Sequence, residues 1–299
     1  MPGSLLDQKP LVEKYLGETA RPLSAFSFTN IFAWKDFFEF DFKVFHDCLC
    51  VFAKNPTGSF LYLPPLAKVI SSAAVDECFA VMEESNGGSG VTRIENVSAE
   101  QLSFFLTEKF THYKKGDEYC YNRDDIASLQ GKAYRSKRSS YNQVAGNYSC
   151  DYVPYEEGMI DECLGLYGRW AGGRKEKQPD DDIYCTMLDE NTTVHETVLR
   201  HYQPLGLTGR VIRIGGEIKA YTFGFPVNAG MFCVLFEVAD PDVKGLATYI
   251  FREFCRDADV LPYKVINGMD DFGLDNIRDV KMSFGPCALL PLYVITKKV

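Results

Sequence analysis

Hydrophobic and polar positions change period several times along the chain, and each change marks a predicted element. Apolar residues recur at every second position over 40–44, which predicts a strand, and strands at 49–53 and 60–63 complete an antiparallel meander. Over 69–84 the period lengthens to that of a helix. Residues 40–84 are therefore predicted to form a small sheet followed by a helix.

Capping signals and renewed alternation predict the elements that come next. Ser98 and Gln101 match a capping box, which predicts a helix over 99–109. Strands are predicted over 91–97, 113–121 and 150–154. Further helices are predicted over 124–129, 132–144, 156–171 and 183–202, with a polar, glycine-bearing loop at 172–182.

The second half of the chain carries the clearer strand signals. Gly215-Gly216 separates two alternating runs and predicts a tight hairpin. Strands are predicted at 211–214, 217–225, 231–239, 264–266 and 287–295, and helices at 243–257 and 274–282. The mixture of antiparallel strands and strand–helix alternation predicts an α/β fold with mixed, α+β-type sheets. We expect two domains, 1–150 and 151–299.

Composition limits the classes of function. The 299 residues suffice for one large domain or two ordinary ones, and the formal net charge is −9. An acidic chain argues against broad, nonspecific duplex binding, although a local basic groove remains compatible with it. The chain has 10 cysteines but no C-x-x-C pair, and His195-Glu196 lacks the second histidine of H-E-x-x-H. We therefore expect reduced thiols and no metal site.

Neither a leader nor a membrane segment is expected from the sequence. The N-terminus lacks a basic segment followed by an apolar core. No apolar run approaches the roughly 18 residues of a membrane helix. We expect a cytoplasmic protein without a transmembrane segment.

The predicted helix over 132–144 is strongly basic. Lys132, Arg135, Lys137 and Arg138 fall within two turns of a chain that is otherwise acidic. One interpretation is a solvated helix face, and the other is a contact for phosphate or a nucleic-acid backbone. The sequence leaves both open.

The stretch 263–281 has the layout of a site at the edge of an α/β sheet. A short apolar strand ends in Asn267, and Asp270 and Asp271 follow it in a glycine-bearing turn. The next helix carries Arg278 and Lys281. The alternative is an ordinary strand-to-helix loop in which the aspartates cap the helix.

Three motifs, taken in chain order, resemble the phosphatidylglycerol lysyltransferase C-terminal domain family over roughly residues 20–297. They are Gly131-Lys-x-x-x-x-Lys137-Arg138 with Tyr141-Asn142, Leu205-Gly-Leu-x-Gly209, and Asn267-x-x-Asp-Asp-x-Gly273-x-x-x-x-Arg278-x-x-Lys281-x-Ser283-x-x-Pro286. The resemblance implies two tandem GNAT-like acyltransferase domains, related to the Fem-type peptidyltransferases. It also implies aminoacyl transfer from aminoacyl-tRNA to an amine or hydroxyl acceptor, with no further cofactor.

Roles for individual residues follow as hypotheses from that chemistry. Asp270 or Asp271 would hold the aminoacyl ammonium, Lys281 the oxyanion or a phosphate, and Asn267 the carbonyl. Glu237, in the middle of a predicted strand, is a candidate base, although a solvent-facing strand residue would fit the same pattern. Substrate contacts are assigned to Lys132, Lys137, Arg138, Tyr221 and Arg278, with a lipid head group, a peptide or a small molecule as the acceptor.

Two other functions remain open. Acyl-CoA enzymes of this fold hold the pyrophosphate on a glycine-rich turn that begins with Gln or Arg. Here the turn reads Asp242-Val-Lys-Gly245-Leu-Ala247, and a carboxylate at its first position would repel pyrophosphate. An acetyl-CoA-dependent N-acetyltransferase is therefore the alternative. A non-catalytic binding module on the same fold is the third reading.

Overall fold

The computed structural model describes residues 4–20, 23–87 and 90–298. Its helices are α1 (Lys9–Glu18), α2 (Phe28–Ala33), α3 (Ser72–Asn86), α4 (Ala99–Phe105), α5 (Arg123–Ser128), α6 (Arg135–Asn147), α7 (Ile160–Lys175), α8 (Asp182–Arg200), α9 (Tyr202–Leu205), α10 (Leu246–Arg256) and α11 (Asp275–Met282). Its strands are β1 (Glu39–Phe45), β2 (Cys48–Asn55), β3 (Gly58–Leu61), β4 (Ile94–Ser98), β5 (Phe110–Asn122), β6 (Cys150–Pro154), β7 (Thr208–Ile214), β8 (Glu217–Asn228), β9 (Met231–Ala239), β10 (Val265–Asn267) and β11 (Ala288–Lys297).

The chain divides into two compact units. The first comprises 1–118, 270–275 and 289–299, and the second comprises 119–269 and 276–288. The chain thus leaves the first unit within β5 and returns to it twice. Sequence neighbours in the segment 267–281 consequently belong to different units.

The first unit is built on an antiparallel meander that is extended by two later strands. β1 pairs with β2 and β2 with β3, both antiparallel, and β3 runs parallel to β4. The last strand, β11, pairs antiparallel with β4, with Tyr293 opposite Val97. α3 supplies Cys78, Phe79 and Met82 to the buried core of this unit.

In the second unit, β10 lies between the end of β5 and the start of β9. β10 is antiparallel to β5 and parallel to β9, so that Asn267 lies opposite both Cys120 and Cys233. β9, β8, β7 and β6 continue the sheet in antiparallel order. α10 packs its buried residues Leu246 and Ile250 into one core cluster of the unit and Phe254 into another.

Several local predictions are confirmed. Ser98 and Gln101 form both hydrogen bonds of the capping box at the start of α4. Gly215 and Gly216, with φ of 61° and 87°, join β7 to β8 as the predicted hairpin. The basic helix exists as α6, although it begins at Arg135 rather than at 132.

Other boundaries differ from the predictions. α7 continues through Gly172-Gly173 to Lys175, where a loop is predicted, and α4 ends at Phe105 rather than near 109. The division into units also differs from the predicted boundary at 150/151. β11 returns to the first unit because its partner is β4, and this pairing over about 200 residues of chain leaves no local signal in the sequence.

Candidate functional site

The turn after β10 is held in an unusual backbone conformation. Asn267 is buried, and its Oδ1 accepts a hydrogen bond of 2.7 Å from the amide of Met269. Met269 and Phe272 have φ of 61° and 53°, in the left-handed region that bulky residues rarely adopt. Strain of this kind persists where the surroundings enforce it, and it is concentrated at functional sites. Asn267 thus shapes the turn, and its side-chain oxygen is already engaged.

Asp270 and Asp271 lie in the part of this turn that belongs to the first unit. Asp271 is buried, and its Oδ1 accepts a hydrogen bond of 2.9 Å from the amide of Gly273. Burial raises the pKa of the Tyr62 phenol, and the negative charges of Glu95, Glu118 and Asp270 raise it further. Asp270 is therefore part of an acidic neighbourhood within the first unit.

Within the second unit, Lys281 reaches back to the end of β10. Its Nζ donates to the carbonyl oxygen of Gly268 at 2.5 Å and lies 5.7 Å from the centre of the Tyr119 ring. The Tyr121 hydroxyl donates to the carbonyl oxygen of Lys281 at 3.0 Å. These contacts place a cation beside Asn267 and fasten the end of α11 to the sheet. Arg278 lies on the exposed side of α11.

The basic residues predicted as substrate contacts lie in α6 and in the turn before it, and they differ in their surroundings. The Lys137 Nζ donates to the Ser283 Oγ at 2.6 Å and lies 3.7 Å over the Phe284 ring, and burial lowers the pKa of the lysine. Arg138 donates to the carbonyl oxygens of Leu129 and Gly131. Both residues thus fasten α6 to neighbouring loops of the second unit. Lys132, the third predicted contact, is exposed.

Glu237 is half-buried on β9 of the second unit rather than fully exposed to solvent. It stands opposite Thr222 in the β8–β9 pairing, and its Oε2 is buried without a hydrogen-bond partner among the described residues. Burial raises the pKa of this carboxyl to about 8. Burial raises the pKa of the Cys255 thiol of α10, and the charge of Glu237 raises it further. The Glu237 side chain therefore lies near that helix.

Tyr221 is a core residue in this structure. It is fully buried, and its hydroxyl lies 2.8 Å from the Nδ1 of His195, whose ring stacks on Phe236 at 4.0 Å. Burial lowers the pKa of His195 to about 3, so this imidazole is neutral at ordinary pH. A substrate contact from Tyr221 would therefore require the core to open, which the prediction from sequence did not foresee.

The start of α10, where acyl-CoA enzymes of this fold bind pyrophosphate, is covered by α6. Gly245 precedes the helix with a φ of 91°, and a Cβ at this position would lie 2.6 Å from the carbonyl oxygen of Ser140. Val144 of α6 packs with Leu246 and Ile250 in the same core cluster. The backbone of α6 thus occupies the space next to the glycine.

The structure brings together only some of the predicted site residues. Lys281 contacts Gly268, the residue after Asn267, and Lys137 contacts the turn that follows α11. Glu237 lies four residues beyond Cys233, the partner of Asn267, or roughly 13 Å along β9.

Sequence reasoning missed the partners of these residues. Ser283, which accepts from Lys137, and Ser140, which covers Gly245, lie in different elements from the groups they contact. Ser24, whose backbone amide and hydroxyl donate to the buried carboxylate of Glu118, is 94 positions away from it. None of these pairs leaves a periodic signal. Among these pairs, a signal in the sequence exists only for Gly245, because a residue without a side chain allows another backbone to approach closely.

The amino-acid sequence of the chain matches the model of a known protein family. The family model described as phosphatidylglycerol lysyltransferase, C-terminal, matches residues 18–296. No curated protein matches the chain.

Three solved structures are similar over nearly the whole chain. A conserved protein of unknown function from Bacteroides thetaiotaomicron VPI-5482 has a TM-score of 0.85 and 25% identity, covering 98% of this chain and 97% of that one. L-PGS from Bacillus licheniformis has a TM-score of 0.67 and 15% identity, covering 97% and 91%. A tandem GNAT protein from the clavulanic acid biosynthesis pathway has a TM-score of 0.56 and 8% identity, covering 98% and 96%. The predicted mixed α/β fold of tandem GNAT-like acyltransferase type is thereby confirmed.

The helices of this chain do not resemble membrane spans. In the described part of the chain, every helix is too short or too polar to cross a bilayer.

Proposed function

Because the chain belongs to the phosphatidylglycerol lysyltransferase C-terminal family, we propose that it transfers an aminoacyl group from aminoacyl-tRNA to an amine or hydroxyl acceptor. The acceptor is a lipid head group, a peptide or a small molecule. A donor of this kind is made in the cytoplasm, and we place the reaction there. The family match over 18–296 supports acyl transfer, and the covered start of α10 supports aminoacyl-tRNA as the donor.

The proposed reaction uses an ester that is already activated. The acceptor nitrogen or oxygen bonds to the carbonyl carbon, the bond to the terminal ribose oxygen of the tRNA breaks, and the acceptor's proton ends on that oxygen. The enzyme needs to hold the two reactants together, stabilise the oxyanion and carry the proton. No further cofactor is required for these steps.

The residues at the end of β10 fit two of these needs. Lys281 places a cation beside the Asn267 strand end, where it would stabilise an oxyanion. Asp270 and Asp271 would hold the aminoacyl ammonium, and the acidic neighbourhood that raises the pKa of Tyr62 supports this role. Arg278, exposed on α11, would contact a phosphate.

Glu237 remains the proposed proton acceptor. Its pKa of about 8 is close to the value that suits a general base near neutral pH. Its burial beside α10 also fits a residue that acts only on the packing of the core. A rate that rises with pH in the wild type but not in Glu237→Gln would separate these two roles.

An acyl-CoA donor is the alternative, and one observation weighs against it. Pyrophosphate binding at a helix start needs backbone amides that a ligand can approach. In this chain the Ser140 carbonyl lies against Gly245, and the preceding turn carries the exposed carboxylate of Asp242. Both features place negative potential where the pyrophosphate would bind.

The test is a transfer assay with labelled aminoacyl-tRNA and a panel of acceptor amines and lipids. We expect Asp271→Asn with Lys281→Met to lower the transfer rate about a hundredfold or more. The matched control is Asp279→Asn with Lys264→Met, which makes the same changes at exposed positions of the same region. Full activity in the first double variant would remove this site from the mechanism.

Two further outcomes would select the other functions. Transfer from acetyl-CoA and none from aminoacyl-tRNA would assign the protein to the N-acetyltransferases. RNA binding that weakens with salt, without any product for any acceptor tested, would favour a binding module.

A further inference from the structure

β1 is an edge strand of the sheet in the first unit. Among the residues that the structure describes, only β2 pairs with it, from Glu39 opposite Lys54 to Phe45 opposite Cys48. Within the same described residues, no backbone group of 39–45 bonds to anything other than β2. A strand edge in this state can accept another strand, because its outward N–H and C=O groups are available for pairing.

The turn between β1 and β2 determines which backbone groups face this edge. Phe45 and Cys48 flank the two-residue turn His46-Asp47, whose φ values of 47° and 61° are those of a type I′ hairpin. The two residues that flank such a turn exchange both of their hydrogen bonds, and bonded pairs then alternate along the ladder. The N–H and C=O groups of the odd-numbered residues of β1 therefore point to β2. Those of residues 40, 42 and 44 point to the edge.

The same edge exposes apolar side chains. Phe40, Phe42 and Val44 share one face of β1, because alternate residues of a strand point to the same side. Val44 is 49% exposed, although its partner Leu49 on β2 is fully buried. Phe42 is only half-buried beside the fully buried Val51. A further strand beside β1 would cover these side chains.

The other face of β1 carries charges of both signs. Asp41 and Lys43 lie on either side of Phe42 and form an ion pair of 3.3 Å, with their side chains 61% and 41% exposed. In an antiparallel copy of this strand centred on Phe42, Asp41 of each copy lies opposite Lys43 of the other. Opposite charges in such cross-strand positions stabilise the pairing. The charge pattern of β1 is therefore complementary to itself.

The charges also select one register. Centring the pair on Phe42 lets residues 40, 42 and 44 of both copies exchange their outward groups, which gives roughly six backbone hydrogen bonds. The smallest slip that keeps these groups aligned is two residues, and it centres the pair on Asp41 or on Lys43. Either slip places like charges directly opposite each other, which is destabilising.

We propose that two copies of this protein form a dimer by antiparallel pairing of their β1 strands, centred on Phe42. The pairing covers Val44 with Phe40 of the second copy. Because both copies use the same surface, the contact closes on itself and produces no filament. One strand pair is a small interface, so we expect a dissociation constant of about 10 μM. The dimer does not depend on the proposed transferase function.

The first experiment is sedimentation equilibrium of the full chain between about 1 and 300 μM. The test variants are Asp41→Lys and Lys43→Glu, each of which leaves the edge with two charges of one sign and makes self-pairing repulsive. In a mixture of the two variants, every acidic position again faces a basic one. The controls are Lys68→Glu and Glu84→Lys, the same charge reversals at exposed positions of the first unit outside β1.

We expect each test variant to dimerise about tenfold or more weakly than the wild type, and the mixture to form a one-to-one heterodimer with wild-type affinity. The controls should dimerise as the wild type does, and thermal unfolding curves check that every variant is folded. A wild type that stays monomeric throughout the range would overturn the proposal. Undiminished self-association of the test variants, or a mixture without heterodimer, would overturn it as well.

The second experiment locates the interface by amide hydrogen exchange. We expect the amides of residues 40, 42 and 44 to exchange more slowly as the protein concentration rises, because the second copy accepts their hydrogen bonds. The amides of Asp41 and Lys43 are already bonded to β2 and should change much less. Concentration-dependent protection confined to residues outside β1 would contradict this pairing. A monomeric wild type whose β1 amides are protected by an added extended peptide would replace the second copy with a foreign strand as the occupant.

Discussion

Glu237 illustrates what burial does to a carboxyl group, one of whose oxygens has no hydrogen-bond partner in the described part of the chain. Desolvation disfavours the charged form, so burial in the folded protein raises the pKa of this group from its ordinary value of 4.5 to about 8. Between these two pH values the folded state retains a proton that the unfolded state releases. The stability of the protein therefore falls as the pH rises through this window.

We expect Glu237→Gln to remove that pH dependence. Relative to the variant, the wild type should lose up to about 1.4 kcal/mol of unfolding free energy per pH unit between about pH 5 and 8, with no further loss above. Urea unfolding of both proteins across this pH range measures the difference. Glu190→Gln on α8 is the control, because this side chain is exposed. A difference between wild type and Glu237→Gln that stays constant with pH would show that the carboxyl is not desolvated.

At the residue scale, the sequence predicted which residues belong to the candidate site better than it predicted which residues they contact. Asn267 and Lys281 were selected as site residues from the strand–turn–helix pattern. Asn267 ends β10, and the Lys281 side chain reaches Gly268 directly after it. The internal engagement of Lys137 could not be foreseen, because its hydroxyl partner is 146 positions away. The sequence left open whether Glu237 is a base or a solvent-facing residue, because strand alternation gives a side chain's face but not what covers that face.

At the scale of elements, the packing of α6 on α10 depends on the absence of a side chain at Gly245. The residue combines a φ of 91° with a carbonyl oxygen 2.6 Å from the position of a Cβ. An alanine here would be strained in its own backbone and would also push Ser140 away. The contact between Ser140 and Gly245 also covers the start of α10, where an acyl-CoA donor would bind. The same glycine therefore affects both the stability of the second unit and the proposed choice of donor.

We expect Gly245→Ala to lower the unfolding free energy by about 2 kcal/mol or more. Gly206→Ala separates the two causes, because Gly206 has a φ of 71° but nothing within 4 Å of its Cβ position. That control should cost only about 1 kcal/mol, the penalty of the left-handed backbone alone. Chemical unfolding of both variants is the measurement. Equal losses of unfolding free energy in the two variants would mean that α6 can shift at Ser140 at little energetic cost.

Element boundaries were predictable where the signal is local. The capping box fixes the start of α4, and the two glycines fix the β7–β8 hairpin. α7 overruns its predicted end at Gly172-Gly173 because tertiary contacts outweigh propensity. Arg174 and Lys175 favour the last turn of a helix, and Lys175 forms an ion pair with Asp189 of α8.

At the scale of the whole chain, the two compact units are not consecutive halves. β11, at the end of the chain, pairs with β4 of the first unit. α5 and α6, which precede residue 150, pack with α10 of the second. The hydrophobic pattern predicted these elements one by one, but strand pairing between distant segments is set by the complete fold.

The arrangement predicts that a cut at the boundary suggested by the sequence yields no independently folded half. A fragment 1–150 lacks β11, the antiparallel partner of β4. A fragment 151–299 lacks the β5 residues opposite β10, and it lacks Val144, whose loss would expose the core cluster around Leu246 and Ile250. We expect each fragment alone to show little tertiary structure by near-ultraviolet circular dichroism and no cooperative urea transition, whereas the two expressed together should assemble and regain both. The intact chain under the same conditions is the control. A cooperative transition in the isolated 151–299 fragment would contradict the prediction, because it would show that the strands and helices after residue 150 form a sufficient core without α5, α6 and β5.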